Sequence, residues 1–153
     1  MADEVAIEFL HMEIVNYAQK ELSDDKKKPI LDSIGYRVGY SLAERLSKET
    51  LRFKDDIDSV KFICRELWNF IYKKQVDNLR TNHSGVYVLV DNHFRFISSM
   101  AEGQQYIKLA PVYLYYSCGL IRGALECFGL KCMVTADITS VPVCRFHIKV
   151  LTQ

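Results

Sequence analysis

The hydrophobic patterning of this chain predicts an α+β fold. It predicts a four-stranded antiparallel sheet with helices packed on one face, including a central, near-completely buried helix. Three observations carry that expectation. Residues 109–121 read LAPVYLYYSCGLI, without a single charge, and continue as RGALECFGL. Such a run is shorter than the ~20 apolar residues that span a bilayer, and too apolar all round for a surface helix with one polar face. Helical periods precede the run, and alternating period-2 patterns lie on either side of it.

The first helix is expected over 4–22, where Ile7, Leu10, Ile14, Val15, Tyr17, Ala18 and Leu22 recur at helical spacing. The segment SDDKKKP, 23–29, reads as a charged, chain-breaking loop. A second helix follows over 31–47. Arg37, Ser41, Glu44, Arg45 and Lys48 make a narrow polar stripe, and Ile34, Tyr36, Val38, Tyr40, Leu42, Ala43 and Leu46 cover much of the rest. Gly35 and Gly39, one turn apart, each cost about 1 kcal/mol of helix propensity and so imply a close backbone neighbour. The third helix, 55–74, places Ile57, Val60, Cys64, Leu67, Trp68 and Ile71 on one face, with aspartates at its start and lysines at its end.

Val86, Val88 and Val90 then alternate with Tyr87 and Leu89. A turn at Asp91-Asn92 leads into 93–97, which predicts a hairpin. The apolar helix is expected over 104–128, stopped by Gly129. Last come two alternating runs, Val134 to Thr139 and Cys144 to Val150, joined by a turn at 140–142. The second run alternates Cys144, Phe146, Ile148 and Val150 with Arg145, His147 and Lys149, so one face is buried and the other cationic and wet. Helices 1 to 3 must complete the cover of the apolar helix. That leaves apolar surface on helix 2, and on part of helix 1, with nothing obvious to pack against; such a surface usually marks a partner interface.

With 153 residues, the expected organisation is one domain, 1–153. A net charge of +1 gives no field that would draw nucleic acid or an anionic membrane. The acidic start, MADEVAIEF, lacks a signal-peptide pattern. Five cysteines with no CxxC spacing point to reduced thiols in the cytosol.

Chemistry-bearing motifs are few. His11, His83, His93 and His147 are scattered, no metal-ligand spacing occurs, and no Gly-rich loop joins a strand to a helix. No cofactor and no catalytic residue is therefore expected. Cys127 and Cys132, flanking a helix end, are the only thiols placed for reactivity; beside His147 or His83 they would suggest a thiol-dependent enzyme. Arg122 and Glu126 are i, i+4 partners in the apolar helix and form an expected structural pair. Tyr106, Tyr113, Tyr115, Tyr116 and Phe128 offer an alternative reading, an apolar small-molecule sensor whose aromatic rings line a pocket.

Two segments carry a family resemblance. CGLIRGALE (118–126), together with IGYRVG (34–39), resembles the shared signature of the small subunits of the TRAPP vesicle-tethering complex. DSVKFICRELW (58–68), YKKQVDNL (72–79) and RTNHSGVYVLVDNHFRF (80–96) resemble one branch of that family, and the likeness covers essentially the whole chain. The resemblance implies a non-enzymatic scaffold or adaptor that pairs as a heterodimer with the complex's central small subunit through its first two helices. It implies contacts with other TRAPP subunits, including a large one. It also implies work in tethering and Rab GTPase nucleotide exchange in ER-to-Golgi and Golgi traffic, with the Rab engaged only through the assembled complex. The subunit would be cytoplasmic and associate peripherally with Golgi and ER membranes, without inserting into them. On this reading Ile7, Leu10, Ile14, Ile34, Tyr36, Val38, Tyr40 and Leu42 are candidates for the partner interface, each of them equally able to serve as core. The central subunit carries an acylated cysteine between its second and third helices. Here that loop reads KETLRFKDD, with Phe53 near the place and no cysteine, which implies no acyl chain and a closed or filled tunnel.

Overall fold

A computed structural model describes residues 2–50, 52–98 and 111–151. Two long helices open the chain, α1 (Ala2–Glu21) and α2 (Asp24–Leu46). Three segments then run on without a break: α3 (Asp56–Phe62), a π-helical turn (Ile63–Leu67) and α4 (Trp68–Tyr72). Strands β1 (Asn78–Thr81) and β2 (Val86–Asp91), a helical turn α5 (Arg95–Ser98), helix α6 (Val112–Cys127), and strands β3 (Cys132–Ser140) and β4 (Val143–Val150) complete the order. The strands form one antiparallel sheet, β1-β2-β4-β3.

Pleating sorts the sheet residues as the alternation predicts. Tyr87 and Leu89 of β2, Phe146 and Ile148 of β4, and Cys132 and Val134 of β3 are buried under the helices. On the opposite face, Val88 pairs with His147, and His147 with Thr135 and with the carboxylate of Asp137 at 2.7 Å. Asp91, fully buried at the end of β2, would be costly if left unpaired. Its carboxylate accepts from Trp68 Nε1 at 2.8 Å, Lys74 Nζ at 2.7 Å and the His93 backbone N–H at 3.0 Å, tying sheet to helix.

Helix α6 is enclosed as its sequence predicts: no residue from Val112 to Cys127 is exposed. Its tightest neighbour is α2. A Cβ on Gly35 would lie 2.0 Å from the Tyr116 carbonyl oxygen, and one on Gly39 2.0 Å from that of Leu120. Reciprocally, Gly119 abuts the Asp32 carbonyl and Gly123 that of Tyr36. The two helices thus cross backbone against backbone, which explains the glycines' departure from helix propensity.

Three sequence expectations are corrected. The supposed loop 23–29 is mostly helix: α2 starts at Asp24, with Asp24 and Asp25 at the positive end of its dipole. Lys27 bonds both Asp24, at 2.7 Å, and Gln19 of α1, at 2.8 Å. Pro29 lies inside α2, past its first turn, and lacks the N–H that would bond to the preceding turn. The first hairpin is not 86–97. The partner of β2 is β1, reached through a turn in which Asn82 Oδ1 accepts from the Ser84 N–H at 2.7 Å, with Gly85 at φ +87°. Residues 93–97 turn helically instead; Phe96 and Ile97 are both buried, which a strand with one wet face does not allow. The third helix ends at Tyr72 rather than 74, stopped by Lys73 in the left-handed region at φ 58°. Of the apolar helix expected over 104–128, the stretch 104–110 lies outside the described residues.

Candidate interaction groove

Helical spacing puts Ile7, Leu10 and Ile14 on one face of α1, and Ile34, Val38 and Leu42 on one face of α2. In the fold these two faces form opposing walls of an apolar groove of about 350 Å³. His11, Ile71, Phe96 and Tyr116 supply the rest of the lining together with Phe70. Leu10 is 62% exposed, and Ile7 and Ile34 37% each, so these are not core residues; Ile14, Val38 and Leu42 are half-buried. Arg95 of α5 forms an ion pair with Glu8, anchoring α1 beside the groove.

The remaining two interface candidates lie elsewhere. At about 100° per residue, Tyr36 and Tyr40 fall on the flank of α2 away from the groove. There they lean on one another, with ring centroids 6.2 Å apart. The Arg122 guanidinium lies 4.4 Å from the Tyr36 ring centroid and forms an ion pair with Asp32 of α2. The sequence expectation paired Arg122 with Glu126. Asp32 takes that place because the glycine crossing brings the α2 backbone within reach of α6. Burial, and then the neighbouring Glu126 carboxylate, push the Tyr36 hydroxyl above its ordinary pKa.

His11 is the groove residue that the sequence reading left aside, although it shares the Ile7–Leu10–Ile14 face; that spacing is the signal that would have found it. It is 4% exposed and stacks on Phe96, centroids 3.9 Å apart at 17°, with Tyr113 and Tyr116 near its edge. Neither ring nitrogen has a hydrogen-bond partner. Burial lowers its pKa from 6.5 to about 4, so the ring is neutral at pH 7.

The other candidate chemistry does not assemble. Burial pushes the thiols of Cys64 and Cys118 to about 12 and that of Cys132 to about 11, and raises Cys127 as well. They are therefore protonated thiols near neutrality. Cys132 is buried on the helix side of the sheet, whereas His147 bonds Asp137 on the other side, and His83 lies in the β1–β2 turn. Among the described residues, no group of three or more His, Cys, Asp or Glu could hold a metal. No helix among them is long and apolar enough to cross a membrane. The aromatic side chains proposed for a ligand pocket separate: Tyr116 lines the groove, Tyr115 faces β3, and Tyr106 lies outside the described residues. Phe128 joins Phe53 and Phe62 in a three-ring cluster with centroids 4.8 to 5.4 Å apart.

Comparison with known proteins agrees with the α+β fold. Trafficking protein particle complex subunit 6b of Danio rerio is 46% identical, over 98% of each chain. The human subunits 6B and 6A are 46% and 45% identical, over 98% and 97% of each chain. The crystal structure of trafficking protein particle complex subunit 3 from Naegleria fowleri, covalently bound to palmitic acid, superposes with a TM-score of 0.76 at 16% identity, covering 97% of this chain and 96% of that one. An H-NOX protein from S. oneidensis shares the fold more loosely, at a TM-score of 0.57 and 16% identity, over 94% of this chain and 74% of that one. The model of the family described as transport protein particle (TRAPP) component matches residues 7–151, and the chain belongs to that family.

Proposed function

We propose that this chain is a non-enzymatic scaffold subunit that pairs with the central small subunit of a TRAPP complex through α1 and α2. The assembled complex would tether vesicles and exchange nucleotide on a Rab GTPase in ER-to-Golgi and Golgi traffic. The observation that carries the reading is the open groove between α1 and α2. Six of the eight interface candidates line it, and Leu10, Ile7 and Ile34 remain exposed there. Contacts with further subunits, a large one among them, belong to the same reading, as does a cytoplasmic location at Golgi and ER membranes.

Light scattering and titration calorimetry of the full chain with the central small subunit test the pairing. Val38→Asp places an unpaired charge in the groove wall and is expected to weaken pairing about 100-fold. Tyr40→Asp, on the other flank, shows whether the interface reaches past the glycine crossing. Pairing unchanged by Val38→Asp would overturn the choice of surface.

Phe53, packed against Phe62 and Phe128, supports a subunit without an acyl chain. An intact mass equal to that of the sequence alone is the expected result; a palmitoyl adduct would refute it. A second reading is favoured by one feature: the groove's volume of about 350 Å³ falls within the range of small-molecule sites. Saturable binding of a fluorescent fatty acid, displaced by the partner subunit, would favour that sensor role.

A further inference from the structure

We infer that the groove is completed by an apolar helix of the partner subunit that brings a hydroxyl side chain to His11, and that this contact fixes which helix docks and in which register. The inference rests on the pairing proposed above and gives it a chemistry.

Three observations lead to it. First, the α1 and α2 residues form two apolar walls at helical spacing, the shape that receives an amphipathic helix by its i, i+3, i+4 and i+7 side chains. Second, no charged residue lines the groove, so a charged occupant would be left unpaired. Third, His11 is nine-tenths buried within that lining, and neither of its nitrogens is bonded. Buried polar groups are normally paired, and the exceptions call for an explanation. A neutral imidazole presents one donor and one acceptor; a hydroxyl both donates and accepts, so it fits either tautomer. A lone polar group in an apolar interface is a known way to specify register, because every wrong alignment leaves it unsatisfied.

In the free subunit both nitrogens are shielded from solvent. Contact therefore requires His11 to turn off the Phe96 ring toward the groove. The aromatic rings packed against it, Phe96, Tyr113 and Tyr116, are uncharged.

The test compares wild type, His11→Phe and Val38→Asp for binding to the central small subunit by calorimetry, alongside their melting temperatures. His11→Phe retains an aromatic ring to stack on Phe96 and removes both nitrogens. The expected result is about tenfold weaker binding with a melting temperature unchanged or raised. In the wild-type complex, the ¹⁵N shifts of His11 are expected to move on docking, a readout that needs no variant. If His11→Phe binds as tightly as wild type, or the ¹⁵N shifts stay fixed, while Val38→Asp still weakens pairing, the hydroxyl contact is wrong and the groove reading survives. If neither substitution weakens binding, the groove reading itself fails.

Discussion

Two stripes of α2, about 100° apart around the same helix, meet their surroundings in opposite ways. Gly35 and Gly39 press against the backbone of α6, where even a methyl group has no room. Ile34, Val38 and Leu42, larger and far more hydrophobic, stay half-buried or exposed along the groove. In this helix hydrophobicity does not measure depth. The smallest residues mark the closest packing, because they let two backbones touch, while the aliphatic side chains stand where a neighbour is still to come.

The strongest way to break that contrast is at the glycine stripe. Gly39→Ala adds a methyl group against the Leu120 carbonyl, a backbone group that cannot move aside. Despite alanine's better helix propensity, the variant is expected to lose about 3 kcal/mol or more in denaturant unfolding. Val38→Asp, on the neighbouring half-buried stripe, should cost less in the same unfolding than Gly39→Ala does. A Gly39→Ala protein of wild-type stability would mean the crossing is looser than described.

A comparable effect is expected from pH, acting at the groove floor. Because burial lowers the pKa of His11 from 6.5 to about 4, the unfolded chain takes up the proton first as pH falls. Stability from this residue is complete above pH 6.5 and is lost as pH falls toward 4. The gap is worth about 3 kcal/mol. His11→Phe should flatten the stability profile across that window; an unchanged slope would assign the titration to other groups.

The smallest effect belongs to the far flank. The Arg122–Asp32 pair is partly exposed, with side chains 33% and 19% accessible. Arg122→Ala is expected to cost about 1 kcal/mol, through the lost stacking on Tyr36 as much as through the lost charge. A loss as large as that of Gly39→Ala would make this flank, rather than the glycines, the principal lock between α2 and α6.

The sequence disclosed the features set by local period or by residue size. The enclosure of α6 follows from the absence of charge up to Ile121, the faces of β4 from their alternation, and the close approach of α2 from two glycines a turn apart. It concealed the features set by partners distant in the chain. Strand β1 has a single aliphatic residue, Leu79, and becomes a strand because β2 offers it an edge. The 93–97 segment imitates a strand through Phe94 and Phe96, yet bonds from the Phe94 N–H to the Pro142 carbonyl at 2.9 Å and turns. Arg122 had a carboxylate four residues away and took one ninety residues away. Of the groove, the two walls were legible from helical spacing. The floor was not, because Ile71, Phe96 and Tyr116 come from three separate elements.

The glycine crossing also determines how docking is felt inside the molecule. The same helix forms one groove wall and one side of the α2–α6 seam, so the seam cannot part without opening the groove. A partner held at 100 times its Kd stabilises the docked form by about 2.7 kcal/mol. That free energy opposes the excursions that expose α6 as well as those at the surface. Amide hydrogens around Leu120 and Ala124, neither of which lines the groove, are therefore shielded by a ligand they do not meet.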